Sequence, residues 1–133
     1  MGLEDYFTKR VMVVDDLPNI RTDLIKILNS LGFTNIKEMP DGKAALDELV
    51  LKASEGKPYE IIFSDINMPI MGGLALLKAL RATTVYKKTP IFMVSTENEK
   101  DIILTAVIEG ATDYIIKPYS AEVVKQKVTM RLK

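Results

Sequence analysis

The chain contains no cysteine and no histidine. The first absence excludes disulfides, thiol catalysis and cysteine-ligated zinc. The second removes the commonest general base, the commonest metal ligand and the usual switch near neutral pH. Any metal held by this chain must bind oxygen donors, which points to a hard cation such as magnesium or calcium. An excess of one charge is missing too: eighteen basic and eighteen acidic residues give a formal net charge of zero. That balance offers no electrostatic footprint for nucleic acid or an anionic membrane, and neither is expected as a partner. No apolar run approaches the roughly 18–20 residues of a membrane span. The amino-terminal MGLEDYFTKR lacks the apolar stretch of a signal peptide. A cytoplasmic protein is expected.

What is present is one domain's worth of ordinary globular sequence: 133 residues, 47% hydrophobic and 27% charged. Five short strand-like runs stand out: Val11–Val14, Asn35–Met39, Ile61–Phe63, Pro90–Val94 and Tyr114–Ile116. The second is the weakest, with only Ile36 and Met39 apolar. Helical spacing fills the intervals. Ile20, Leu24, Ile27, Leu28 and Leu31 form the first stripe, with Pro18 suited to the opening turn and Gly32 to the end. Ala45, Leu46, Leu49 and Val50 form the second, after Asp41-Gly42. Leu74 and Leu77 mark a third after Gly72-Gly73. TENE, Thr96 to Glu99, fits a capping box for a fourth, continuing through Ile102, Ile103, Ala106 and Val107 to Gly110. Ser120 can cap a fifth, carrying Val124 and Val128.

A β-α unit repeated five times in one domain length implies a parallel sheet with helices on both faces. The first, third and fourth runs are apolar almost throughout, as strands covered on both faces should be. Ligands in such folds bind beyond the carboxyl ends of the strands. There the sequence places Asp15 and Asp16, Ser64 and Asp65, Ser95 and Thr96, and Lys117-Pro118. Three carboxylates and one lysine are not self-neutralising, so a divalent cation is the missing charge. Metal, lysine and hydroxyl together suit phosphoryl transfer. Without cysteine or histidine, the available nucleophile is a carboxylate, giving an aspartyl phosphate.

Four segments carry a resemblance: VVDD ending at Asp16, SDINMPIMGG from Ser64 to Gly73, STE from Ser95 to Glu97, and GATDYIIKP from Gly110 to Pro118. In this order and spacing the chain resembles the receiver domain of two-component response regulators, closest to the stand-alone chemotaxis CheY type. The likeness covers about residues 10–132. It implies a single-domain, doubly wound α/β fold of the flavodoxin kind, with a five-stranded parallel sheet in order 2-1-3-4-5 and five helices. Residues 1–9 are then an amino-terminal arm, and 10–133 the receiver domain.

The resemblance also implies roles. Asp65 is the phosphoacceptor. Mg2+ is ligated directly by Asp16 and Asp65, through water by Asp15, and by the backbone carbonyl of Asn67. Lys117 contacts the phosphoryl group, and the peptide into Pro118 is usually cis. Ser95 is the switch hydroxyl and Tyr114 the aromatic that swings inward on activation. Asn67 and Glu97 occupy positions that tune dephosphorylation. The implied partners are a CheA-like sensor histidine kinase, which supplies the absent histidine, and a downstream target. The flagellar motor switch is the candidate target, reading the face made by helix four, strand five and helix five. Such a domain catalyses its own modification and its loss, and is not a turnover enzyme on a separate substrate.

Plainer readings exist for the same residues. Asp15-Asp16 suits a helix cap and Asp65 a turn. Ser95 suits a helix start, Glu97 a first-turn acid, Tyr114 simple packing and Lys117 a solvated surface. Other function classes are a receiver cut from a larger response regulator, an aspartyl-nucleophile phosphohydrolase, a flavodoxin-like electron carrier and a phosphate-independent interaction module. The phosphohydrolase reading wants a second Asp where Asn67 stands. The electron carrier wants a Gly/Ser/Thr-rich phosphate loop after the first strand.

Overall fold

The computed structural model describes residues 2–132. Five strands alternate with five helices: β1 (Val11–Val14), α1 (Pro18–Leu31), β2 (Ile36–Met39), α2 (Gly42–Ser54), β3 (Ile61–Ser64), α3 (Gly73–Arg81), β4 (Ile91–Ser95), α4 (Lys100–Ile108), β5 (Asp113–Ile116) and α5 (Ala121–Arg131). All pairings are parallel, in the order β2-β1-β3-β4-β5. This is the doubly wound arrangement expected from the sequence. The three apolar strands are its centre, buried at every residue. The weakest run is an edge strand, β2, where Lys37 and Glu38 face water.

Alternation along each strand divides the core between the two faces of the sheet. Met12, Val14, Ile62, Ile91 and Met93 pack with Leu49, Leu76, Leu77, Leu80 and Ala106 of α2, α3 and α4. Val11, Val13, Ile61, Phe63, Phe92 and Val94 pack with Leu24, Leu28, Val124 and Val128 of α1 and α5. On that second face the Phe63 and Phe92 rings stack with centroids 4.9 Å apart.

Helix ends follow local chemistry. Pro18 opens α1, and Gly32 closes it at φ 120°, a conformation that favours glycine. Asp41 caps α2 by accepting the Ala44 N–H at 2.8 Å, and Ser120 caps α5 by accepting the Val123 N–H at 3.2 Å.

The structure departs from the sequence reading in two places. No capping box forms at Thr96: α4 starts at Lys100, with Glu99 at its cap and no side-chain bond there. The Glu97 N–H is held locally by Ser95 Oγ and its carbonyl by the Tyr114 hydroxyl of β5, so a local bond and a tertiary one keep this segment out of the helix. Val50 and Val107, read as part of apolar stripes, are more than half exposed. Residues 3–7 of the arm pack on the domain, with Leu3–Tyr6 in a 3-10 turn. The Phe7 ring meets Phe33 edge-on at 5.6 Å, and the Phe7 carbonyl accepts the Thr34 N–H at 3.1 Å.

Candidate functional site

The carboxyl ends of β1, β3 and β5 converge on one rim. β1 runs straight into Asp15, whose N–H donates to the Met39 carbonyl of β2 at 3.1 Å. Asp65 follows β3, and its N–H donates to the Val14 carbonyl of β1 at 2.9 Å. Sheet hydrogen bonding therefore carries on past the strands and fixes both residues side by side. Asp15, Asp16 and Asp65 each place a carboxylate oxygen within 4.8 Å of the other two. Asp15 and Asp65 are buried, at 4% and 7% exposure, while Asp16 is half-buried.

Lys117, delivered by β5, enters this cluster. Its Nζ donates to Asp15 Oδ2 at 2.7 Å and to Asp65 Oδ2 at 3.3 Å, and its side chain is itself buried. The other oxygens are partly occupied: Asp15 Oδ1 accepts the Leu17 N–H at 3.0 Å, and Asp65 Oδ1 accepts the Ile66 N–H at 2.7 Å. Asp16 makes no ion pair among the described residues. Helix capping does not account for the pair, because Leu17 is the cap of α1 and makes no side-chain capping bond.

The electrostatics ask for a cation. Three carboxylates against one ammonium leave two negative charges at the rim. At these separations each carboxylate pair repels by roughly 3–4 kcal/mol at an effective dielectric of about 20. One lysine shared between Asp15 and Asp65 offsets only part of this. A hard divalent ion matches both the missing charge and the all-oxygen donor set. The residues present fit Mg2+.

The hydroxyl and aromatic positions lie on the next strands. Ser95 is fully buried at the end of β4, and its Oγ accepts the Glu97 N–H at 3.3 Å. Its carbonyl accepts the Lys117 N–H at 2.9 Å, which ties the lysine's backbone to β4. Tyr114 lies inward, 7% exposed, donating its hydroxyl to the Glu97 carbonyl at 2.6 Å. Burial pushes this phenol above its ordinary pKa; the Ser95 hydroxyl opposes that shift, and the charges of Glu97 and Asp65 add to it. Asn67 stands on the loop after β3 and Glu97 on the loop after β4, and Glu97 lies outside the carboxylate cluster. The Lys117–Pro118 peptide is cis.

Beside Lys117 a hollow of about 590 Å3 opens, lined by Ile20, Ile27, Thr96, Pro118 and Tyr119. Burial, with Asp23 and Asp15 nearby, pushes the Tyr119 phenol up to about 12.

Two participants were not foreseen from the sequence. Gly73 opens α3 so close to the end of β3 that a Cβ would overlap the Asp65 carbonyl oxygen. The paired glycines Gly72-Gly73 are the signal for such an approach. Arg21 reaches back from α1, and its Nη1 donates to the Asp15 carbonyl at 2.7 Å. Nothing in its sequence neighbourhood distinguishes it from a surface arginine.

Comparison with known proteins agrees with this geometry. The family model of the response regulator receiver domain matches residues 11–129. The chemotaxis protein CheY of Pseudomonas aeruginosa is 36% identical over 119 residues, covering 90% of this chain and 92% of that protein. Chemotaxis protein CheY1 of Helicobacter pylori is 34% identical over 123 residues, covering 92% and 96%. Among solved structures, Vibrio cholerae chemotaxis protein CheY4 superposes with a TM-score of 0.81 at 30% identity, over 93% of this chain and 98% of that one. A chain from the CheX–CheY–BeF3–Mg2+ complex of Borrelia burgdorferi reaches 0.82 at 26% identity, over 94% and 90%.

Proposed function

This chain belongs to the response regulator receiver domain family, and from that premise we propose that it is a phosphorylation-activated response regulator, with Asp65 as its phosphoacceptor. The observation that carries the reading is the buried Asp15–Asp65–Lys117 arrangement with Asp16 at its edge. Its charge, donor set and nucleophile suit phosphoryl transfer, and no other nucleophile type shares the cluster.

Asp16 and Asp65 would hold Mg2+ directly, with Asp15 acting through water and Asn67 contributing its carbonyl. When bound, the ion supplies positive charge to the phosphoryl oxygens. An Asp65 carboxylate oxygen attacks phosphorus of a kinase phosphohistidine. The P–O bond forms as the P–N bond breaks, and the imidazole leaves with the bonding electron pair. Lys117 is placed to exchange part of its contact with Asp65 for the incoming phosphoryl group. The open, apolar hollow at Ile20, Ile27 and Pro118 suits the side chains flanking a donor histidine. The chain thus promotes its own modification and its hydrolysis, a signalling role in the cytoplasm rather than turnover of a separate substrate.

The readout follows from the same strand ends. The phosphoryl group adds nearly two negative charges beside Ser95. A hydrogen bond from Ser95 to it would draw the loop after β4 toward the rim and favour the inward Tyr114 arrangement, in which the phenol locks Glu97. The face of α4, β5 and α5 then presents itself to a target. Leu104, Val107, Ile108 and Ile116 are exposed there. The likeness to chemotaxis proteins makes the flagellar motor switch the candidate target and a CheA-like protein the kinase. The test is phosphotransfer from a radiolabelled kinase phosphohistidine. Label should pass to the wild type with Mg2+ and not to Asp65→Asn. Equal labelling of the two would remove Asp65 from the role.

A further inference from the structure

The geometry points to Arg21 as a positioning residue for the cation site, setting the peptide plane between Asp15 and Asp16. This inference rests on the carboxylate cluster holding a divalent cation. The oxygen that Arg21 grips at 2.7 Å is the Asp15 carbonyl, and that carbonyl belongs to the peptide joining Asp15 to Asp16. Fixing it fixes where the Asp16 Cα leaves the strand, and so where its carboxylate can reach. Asp16 has no side-chain hydrogen bond among the described residues to orient it by other means. The opposite end of Asp15 is fixed too, with its N–H on the Met39 carbonyl.

Arg21 is in turn held by a second bond. Its Nε donates to Glu38 Oε1 at 2.8 Å, on edge strand β2. The arginine side chain is 14% exposed while that of Glu38 is 50% exposed. As an ion pair on its own, such a half-exposed contact contributes little. As an anchor, it aims a rigid fork at a carbonyl, which a planar guanidinium does well and a single ammonium does less well. The Arg21 N–H also sits in the first turn of α1, on the Leu17 carbonyl at 3.1 Å. Three segments therefore meet at one side chain: the start of α1, the end of β1 and the edge strand. Residues that orient metal ligands from outside typically alter affinity by about 10–100-fold when removed.

The test is calorimetric titration with Mg2+ of the wild type, Arg21→Met, Arg21→Lys and Glu38→Ala, with urea unfolding to confirm that each is folded. Arg21→Met, which keeps the stem and loses the fork, should bind about tenfold more weakly. Arg21→Lys should fall between it and the wild type. Glu38→Ala should weaken binding in the same direction by less, because Arg21 keeps the carbonyl bond. Labelling by acetyl phosphate supplies a second readout: Arg21→Met should need more Mg2+ for half-maximal rate, yet approach the wild-type rate at saturation. If the wild type binds Mg2+ and Arg21→Met binds equally well, the positioning role is wrong and the cation site stands. If the wild type itself does not bind, both fall. Should Arg21→Met fail to fold, Glu38→Ala decides, and an affinity equal to wild type overturns the proposal.

Discussion

Ile70 stands where a β-branched side chain is least at ease. Its φ is 69°, and the Met71 N–H closes onto the Pro69 carbonyl at 2.7 Å, so Ile70 is the middle of a tight three-residue turn. The side chain is 82% exposed, so packing returns little for that strain. The left-handed region costs an ordinary residue roughly 1–2 kcal/mol, and asparagine tolerates it better. Ile70→Asn should therefore raise stability by about 1 kcal/mol, seen as a higher urea midpoint. A lower midpoint would mean that the turn is supported in a way the φ angle does not reveal. Gly73, the first residue of α3 just beyond that turn, predicts the opposite sign. Gly73→Ala forces a methyl group against the Asp65 carbonyl, and overpacking of this kind costs about 1–3 kcal/mol. Because the strained contact is with the Asp65 backbone, its phosphorylation rate should fall as well. A rate and midpoint both equal to wild type would show that α3 can shift without disturbing Asp65.

Helix α5 is fastened to the sheet by charge at one end. Asp113, which opens β5, accepts from Lys127 at 3.1 Å and from Arg131 at 3.0 Å. Burial alone would push this carboxyl up, but hydrogen bonds from Arg131, the Tyr114 N–H and Lys127 outweigh it and hold it below the ordinary range. A carboxyl with a depressed folded pKa adds stability above its unfolded value of about 3.9, and that stability is lost as pH falls through the lower folded value. Asp113→Asn should therefore flatten the decline of the urea midpoint below about pH 4. Parallel acid slopes for variant and wild type would rule the contact out. Helix α4 shows a different economy, with only Ala106 fully buried and Leu104, Val107 and Ile108 facing outward. Val107→Asp should leave labelling of Asp65 intact and abolish capture of a target by the beryllofluoride-activated protein. Undiminished capture would move the interface elsewhere. These two elements also mark what a sequence can convey. The α5 stripe of Val124 and Val128 is buried as its spacing predicts. The α4 stripe runs on through Val107, because hydrophobic spacing cannot distinguish a side chain facing the core from one facing a partner. The TENE segment fits a cap by composition, but beside the local Ser95 bond its Glu97 carbonyl is held by the Tyr114 hydroxyl, seventeen residues along the chain.

At the scale of the molecule, strand order decides which residues meet. The positions of Asp15, Asp16, Asp65 and Lys117 were legible because each ends an apolar run, and a parallel sheet brings such ends to one rim. Arg21 was not, since its role depends on the register that places Glu38 of β2 within its reach. The arm was equally silent: Phe7 finds Phe33 only after α1 has turned the chain back. With equal numbers of acidic and basic residues, the molecule has no net charge to draw an ion. Attraction for a divalent cation is a local property of the carboxylate cluster. The most direct measurement is incubation with acetyl phosphate, with Mg2+ or with a chelator, followed by peptide mapping of the acyl phosphate. The account predicts phosphate on Asp65, dependent on Mg2+ and absent from Asp65→Asn. Phosphate on another residue, or labelling that persists in the chelator, would contradict it.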